Sequence, residues 1–325
     1  MAPEMAQPGF WARVQRASVE RLHIRLESLV VLLALSTVMA LLSPYFLSLS
    51  NFLNILLATS TIGVLAIAAT FVIGSGGLDL SLGSVMGLAG VAGAFVAVNL
   101  GWPSVLAVLA CILAGALAGY INGQLVTRAF VPAFIVTLGM LGLARGLALV
   151  ISQGRAIYGL PPEIVYIGQG RTFGIPMPVI IFVLTAIVAH AVLAYTRFGR
   201  HTLALGDSEG AARAAGIRVE HHRRIIYTLS GALAAVSGIM ISSIATLTPV
   251  MGGDPMLKAF IVCVVAGLGN VYGAVVAAIA LGLLEAATQY VLGVRWSFAT
   301  LLLLVILVLI WRPYGLFGKQ QVVRL

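Results

Sequence analysis

Charge is scarce in this sequence. Of its 325 residues only 9% are Asp, Glu, Lys or Arg, against 61% hydrophobic. A soluble domain carries roughly a quarter charged residues. The shortage therefore excludes an ordinary water-surrounded globule and makes lipid the solvent for most side chains. Lysine is nearly absent: Lys258 is followed by Ala and Lys319 by Gln. A phosphate-binding P-loop needs Gly-Lys-Ser/Thr, so neither lysine can build one. Any ATP that drives this protein is hydrolysed on another polypeptide, and no cofactor of its own is expected. The two cysteines, Cys111 and Cys263, lie inside apolar runs, which excludes a disulfide framework and makes them small buried hydrophobes. No Ser/His/Asp or Cys/His constellation can be assigned, so no catalytic residue is expected. His221 and His222 share no helical face, and no Cys or Asp completes a metal set. They read as a solvated pair, with no metal.

What the sequence has in quantity is long apolar runs. A spanning helix needs roughly 20 mostly apolar residues. Ten runs qualify or nearly so: 28–47, 52–74, 80–99, 104–127, 131–151, 176–195, 224–247, 257–270, 271–292 and 297–312. The eighth is short enough to be re-entrant. Breaks fall at Ser43-Pro44, Gly76-Gly77, Gly101-Trp102-Pro103, Val131-Pro132 and Gly168 to Pro178, all turn signals. Because every backbone polar group in lipid needs an internal partner, the expected fold is an all-α polytopic bundle of about ten transmembrane helices. The expected organisation is a cytoplasmic tail over 1–27, a transmembrane domain over 28–312 with a charged loop at 196–223, and a second cytoplasmic tail over 313–325. Arg13, Arg16, Arg21 and Arg25 precede the first run. That run reads as a span with its tail inside, not as a cleaved signal.

The formal net charge of +9 fits a membrane protein better than a nucleic-acid binder, because the arginines sit at segment ends. Ten crossings from a cytoplasmic N-terminus place 14 of the 19 Arg and Lys residues at cytoplasmic ends and only Arg155, Arg171 and Arg295 outside, as the positive-inside rule requires. The longest outer loop is then 152–175, with a turn at Arg171 to Gly174. A faint echo links Gly77-Leu78-x4-Gly83, after FVIGSG, to Gly267-Leu268-x4-Gly273, after FIVCVVAG. It is either an internal repeat of the kind transporters use or chance recurrence among 36 glycines.

The most charged loop contains GDSEGAARAAG, Gly206 to Gly216. Asp207 or Ser208 can cap a helix start, Glu209 suits its first turn, and Ala211, Ala212, Ala214 and Ala215 favour helix. Gly216 is a natural stop. The expectation is a two-turn helix at the cytoplasmic surface, slim enough to enter a groove on another protein, tied through Arg223 and Arg224 to the next span.

This stretch resembles the coupling loop of ABC importer permeases. FVIGSGGLDLSLGSVMGLAG resembles the corresponding block of monosaccharide (ribose-type) permeases, and NGQLVTRAFVPAFIVTLGMLGLARGLAL resembles the run after their fourth helix. Gly210 stands where the sugar family usually has a second acidic residue, and LKAFIVCVVAGLGNVYGAVVAAIALGLLEA and RPYGLFGK look more like the branched-chain amino-acid permeases of the same superfamily. The resemblance implies an inner-membrane permease subunit of an ATP-binding cassette importer for a monosaccharide. Its implied partners are a cytoplasmic ATPase, a second permease subunit (homo- or heterodimeric) and a periplasmic substrate-binding protein, with the lipid bilayer and no nucleic acid. It assigns coupling to the ATPase to Gly206, Asp207, Glu209, Ala211, Ala212, Arg213 and Gly216. A branched-chain amino-acid or other small polar solute, or an ion-coupled secondary transporter, remain the alternatives.

Candidate path residues follow from the cost of polar groups in a membrane. Asp79 with Ser81 is either a helix cap or a path acid; Asn122, Thr137 and Asn270 are either helix glue or path amides and hydroxyls. Glu285 calls for a partner such as Arg295 or Gln289. Arg145 snorkels toward the outer end. Gly115, Gly119 and Gly123 form overlapping Gly-x-x-x-Gly pairs that permit close helix packing.

Overall fold

The computed structural model describes residues 48–129, 131–267, 269–313 and 315–318, with the isolated positions 37, 40 and 46. The chain divides into two compact units, 1–48 and 49–325, and the second holds every complete helix among the described residues. The expected first span at 28–47, the tail over 1–27 and residues 319–325 fall outside the described residues, apart from the isolated positions.

Among its described residues the second unit is all-α apart from one small hairpin and an isolated bridge between Ile157 and Leu247. Its helices are α1 Leu49–Gly74, α2 Leu82–Ala94 extended by a π turn Phe95–Asn99, α3 Ser104–Arg128, α4 Ala133–Ser152, α5 Pro162–Gln169, α6 Met177–Tyr195, α7 Arg197–Asp207, α8 Glu209–Ala214, α9 Val219–Ile244, α10 Gly253–Ala266, α11 Val271–Val291 and α12 Ser297–Trp311. Among the described residues, eight helical stretches are long and apolar enough to cross a membrane. The hairpin pairs Arg171 with Pro176 and Thr172 with Ile175 around the left-handed residues Phe173 and Gly174, where the sequence placed a turn. Proline sets several boundaries: α3, α4, α5 and α6 each begin directly after Pro103, Pro132, Pro161 or Pro176. A ring-fixed φ and a missing donor are harmless there and disruptive further in.

These helices are apolar all round, so polarity does not say which face points inward; side-chain size does. On α3 the buried positions are Ala107, Cys111, Gly115, Ala118, Gly119, Asn122, Gly123 and Thr127. The exposed ones include Leu106, Leu109, Leu113, Leu117 and Leu125. Lipid solvates leucine as well as a protein core does, so association rests on close packing and interhelical hydrogen bonds, which small residues permit. Helix α9 is the hub. A Cβ on Gly115 would fall 2.3 Å from the Gly231 carbonyl oxygen, and one on Gly119 would fall 2.1 Å from that of Tyr227. The Gly-x-x-x-Gly pairs therefore serve internal packing. On the other side of α9, a Cβ on Gly238 would fall 2.4 Å from the Met86 carbonyl oxygen of α2. Ser230 and Ser237 donate to the Ala68 and Thr61 carbonyls of α1 at 2.9 and 2.7 Å.

Two segments differ most from expectation. Helix α9 starts at Val219 and ends at Ile244, so the charged loop closes at 218. The eighth run is a half-length helix, α10, of 14 residues or about 21 Å. It starts inside the bundle: Gly252 packs backbone-to-backbone on Gly83, and Pro249 lies against Gly87. The segment after α9 thus folds back into the interior before α10 runs toward the opposite end. The two echoed glycine turns meet, with a Cβ on Gly74 falling 3.0 Å from the Gly269 Cα.

The bundle has one basic end. It carries Arg128, Arg197, Arg200, Arg213, Arg218, Arg223, Arg224 and Arg312 beside the terminus of α1, where Gly74 and Gly76 touch Gly206. The other end has Arg155, Arg171 and Arg295. By the positive-inside rule the basic end is cytoplasmic.

Replacing Gly119 by Ala is expected to destabilise the purified protein by about 1–3 kcal/mol, and by Leu to prevent its folding. Gly139→Ala, at a site with nothing within 4 Å, should leave the melting temperature unchanged. Thermal unfolding in detergent separates the three. An unaffected Gly119→Leu protein would contradict the α3–α9 contact.

Candidate functional site

At the cytoplasmic end the charged insert folds as two helices rather than one. Thr196 caps α7 by accepting the Gly199 N–H at 3.2 Å. Helix α7 lays Gly199, Thr202 and Leu205 inward. It was not expected from the sequence, although its apolar and charged positions alternate with a helical period. His222 is buried rather than solvated: its Nε2 and the Thr202 hydroxyl are 2.9 Å apart, and its ring packs on Phe198 and His201. His221 alone is exposed. Gly206 has a steric reason to be glycine, since a Cβ there would sit 2.3 Å from the Gly74 carbonyl oxygen.

Ser208, not Asp207, caps α8, accepting the Ala211 N–H at 3.3 Å; Asp207 ends α7. Gly216 stops the turn with φ +81°. Ala212 is buried with Leu205 and Val219, so one alanine of the set anchors the helix inward. Gly210, Ala211, Ala214 and Ala215 stay exposed, and nothing lies within 4 Å of a Cβ on Gly210. The result is a flat, narrow outer face. Ion pairs hold the helix in place: Arg213 bonds Glu209 at 3.2 Å and Glu220 at 2.7 Å, and Arg223 bonds Glu209 at 2.9 Å. Arg224 takes no part, its Nε donating to the Glu220 carbonyl of its own helix. Partial burial pushes the Glu209 carboxyl up, but Arg223 and Arg213 outweigh this and hold it below its ordinary value of 4.5. The pairs are therefore intact at neutral pH and weaken as pH falls below that value. Exposed pairs of this kind are weak, enough to orient a two-turn helix and too little to freeze it.

The break between α1 and α2 gathers three of the candidate path residues. Asp79 Oδ1 accepts from the Ser81 N–H at 2.9 Å and from its hydroxyl at 2.6 Å, and the Asn122 amide of α3 donates to the Ser81 oxygen at 3.0 Å. Tyr227 of α9 donates to the Leu78 carbonyl at 3.1 Å. Asp79, Ser81 and Asn122 are all buried. The acid thus shapes the turn that launches α2, and Asn122 joins α3 to it. The Asn122 carbonyl oxygen alone is left without a partner.

The remaining candidates are dispersed. Thr137 is buried, and its hydroxyl donates to the Ala133 carbonyl of its own helix. Asn270 caps α11 through the Gly273 N–H and donates to the Phe317 carbonyl. The charged pair that sequence reading missed is Lys258–Glu285, at 2.7 Å. Gln289 adds a 3.3 Å hydrogen bond to the same carboxylate oxygen, whereas Arg295 is not among the recorded partners. The available signal was that Lys258 and Glu285 are the lone lysine and the lone acid of their respective apolar runs.

Comparison with known proteins gives a consistent set of relatives. The family described as "Branched-chain amino acid transport system / permease component" matches residues 51–311. The chain is 34% identical over 270 residues to the ribose import permease protein RbsC of Escherichia coli (strain K12), covering 80% of this chain and 84% of that one. It is 35% identical over 265 residues to RbsC of Bacillus subtilis (strain 168), covering 78% and 81%. It is 34% identical over 259 residues to the autoinducer 2 import system permease protein LsrC of Yersinia enterocolitica, covering 77% and 71%.

In the Asp79 cluster, Asp79→Asn keeps an acceptor for Ser81, whereas Asp79→Ala strands a buried N–H and hydroxyl at a cost of about 1–3 kcal/mol. The alanine variant is expected to melt at a lower temperature than the asparagine variant. Equal melting temperatures would remove the cluster's structural role.

Proposed function

The chain belongs to the branched-chain amino acid transport system permease family, and on that premise we propose that it forms the membrane path of an ATP-binding cassette importer for a monosaccharide. It is a multi-pass inner-membrane transport component and not an enzyme, working in a system that includes an ATPase and a substrate-binding partner. The observation that carries the sugar assignment is the similarity, across about four-fifths of the chain, to proteins named as ribose import permeases. An ion-coupled carrier acting alone has no such support.

In this reading, the flat face of Gly210, Ala211, Ala214 and Ala215 seats in a groove of the cytoplasmic ATPase. Motion of α8 passes to α7 through Ala212 and Leu205. From there it passes through the Gly206–Gly74 contact to the end of α1, five residues before Asp79. The lever thus ends at the break that launches α2, and tilting that break opens the path to one side or the other. A periplasmic binding protein delivers the sugar, and high affinity resides there rather than in the permease.

A second permease subunit, identical or related, is proposed to pack on α4. Most glycines of the spanning helices meet a neighbouring atom, whereas Gly139, Gly142 and Gly146, none of them buried, meet nothing within 4 Å. Beside them Arg145 is exposed and has no recorded partner among the described residues. A helix face that combines small residues with an unpaired guanidinium suits another protein surface better than lipid.

In proteoliposomes holding the permease, its ATPase and its binding protein, ATP is expected to drive ribose uptake. Ala214→Trp, on the outer face of α8, should cut uptake at least ~10-fold and weaken co-purification of the ATPase while the permease stays folded, a disrupted interface costing about 1.4 kcal/mol or more. Uptake that proceeds without ATP overturns the reading. A photo-cross-linking residue in place of Gly142 should join the chain to a second permease subunit, identical or related, in membranes; a failure to cross-link in an assembled, active transporter excludes α4 as the seam.

A further inference from the structure

A cavity of about 300 Å³ lies between α1, α10, α11 and α12. Asn51, Asn54, Thr59, Lys258, Glu285 and Gln289 supply its polar lining. It starts near the first turn of α1 and reaches inward along α10, so it belongs to the half of the bundle away from the coupling insert. Small ligands are held in pockets of about this size and upward.

A charged pair within a membrane protein is costly to bury. If Lys258 and Glu285 served only to join α10 to α11, the helices would be expected to close around them. They do not: Ala58, Ala278 and Ala286 leave room on the lining, and Lys258 and Glu285 remain partly accessible. The bonding pattern is also lopsided. The Lys258 ammonium is held by Asp254 Oδ2 at 3.0 Å and Glu285 Oε1 at 2.7 Å, and Gln289 donates to that same Oε1. Among the described residues Glu285 Oε2 takes no recorded hydrogen bond, and Asn54 is exposed without a recorded partner. The ammonium is therefore neutralised and fixed, while the carboxylate keeps one oriented acceptor beside amides that both donate and accept.

That inventory selects a ligand class. An anion or an amino-acid carboxylate finds no cation available, because Lys258 is already shared by two carboxylates. A metal ion finds too few oxygens, and no group of three His, Cys, Asp or Glu able to hold one occurs among the described residues. Hydroxyl groups, which donate and accept alternately, fit a spare carboxylate oxygen flanked by amides. We propose that this cavity is a transit subsite for a neutral sugar in the outer half of each permease subunit, with hydroxyls bonded to Glu285 Oε2 and to the Asn54 and Gln289 amides. The subsite rests on the monosaccharide reading of the transporter. A handful of hydrogen bonds in an open pocket gives affinity on the order of millimolar, weak enough for a solute that must move on.

The test uses the full chain within its assembled transporter. Ala58→Cys introduces an accessible thiol on the cavity lining at a residue outside the proposed hydrogen bonding, while Cys111 and Cys263 are buried and give little background. A membrane-impermeant maleimide added from the outer side should label Cys at position 58. D-Ribose or another neutral pentose or hexose should slow labelling, with half-protection in the millimolar range. Adding Gln289→Leu, which leaves the Lys258–Glu285 pair intact, should raise the half-protecting concentration about 5- to 10-fold, the worth of one hydrogen bond. Protection by no neutral sugar, or equal protection by leucine, overturns the subsite. If the unlabelled transporter still imports a monosaccharide under ATP in that case, only the subsite has failed. If the wild-type transporter imports no sugar, the broader reading has failed with it.

Discussion

The fold depends on backbone meeting backbone across α9. In hydrocarbon there is no hydrophobic force to gather helices, so the helices must gain from contact and from interhelical hydrogen bonds. Helix α9 gains both. Gly231 and Gly238 bring it against α3 and α2 at distances that a methyl group would forbid, and Ser230 and Ser237 bond the carbonyls of α1. The same device then repeats further along the chain, where Gly252 meets Gly83 and fixes the start of α10 against the start of α2. The two interrupted segments, 75–81 and 245–252, are thus held beside the same helix. Irregular backbone inside a membrane is tolerated only where protein covers it or water reaches it, and the glycine contacts provide that cover.

How much of this was legible in the sequence depends on the range of the interaction. The spanning helices were legible, because apolar runs and the break signals around Pro103, Pro132 and 168–178 act locally, whereas the short α5 lies inside what read as an outer loop, 152–175. The stop at Gly216 and the cap at Ser208 were legible for the same reason, though the choice between Ser208 and Asp207 was not: α7, ending at Asp207, decides it. Helix α7 itself was hidden, because its charges dominate the stretch and mask the inward set of Phe198, Thr202 and Leu205. The burial of His222 was hidden with it. The Asp79–Ser81 turn is a two-residue matter and could be read as a cap; its link to Asn122 crosses 41 residues and could not. The Lys258–Glu285 pair spans 27 residues and involves a half-helix whose depth no hydropathy pattern reveals. Glu285 was instead assigned to residues near it in sequence. Asn270 looked like a path amide because Asn in a Gly-rich turn is ambiguous, and its bond to Phe317 is visible only in three dimensions.

The coupling role proposed for the insert accounts for its being built from weak parts. Three ion pairs with exposed members hold α8, and a single buried alanine anchors it. A stiffer attachment would give a better-defined helix but would resist the small tilt that a lever needs. A looser one would dissipate a push into the loop. The close glycine contact between Gly206 and Gly74 is different in kind: it has no side chain to flex, so in the proposed mechanism a displacement of α7 passes to α1 without slack. Compliance at the docking face and rigidity at the membrane boundary are what a mechanical coupling requires.

The two polar groupings of the bundle differ in the way that the proposed mechanism requires of a hinge and a path. At the Asp79 turn the recorded hydrogen bonds close on the protein itself, all the members are buried, and one amide oxygen is left over. Such a cluster fixes geometry and offers a solute little. In the outer cavity the charges are equally costly, but the bonding is left incomplete: one carboxylate oxygen and an exposed amide face open volume. A solute of many hydroxyls exchanges water for these groups at small net gain, which suits passage rather than capture. Affinity built into the permease would slow release, so a path that handles sugars should show sparse, satisfied charge near its hinge and spare acceptors only where solute enters. The division seen between Asp79 and Glu285 follows that rule.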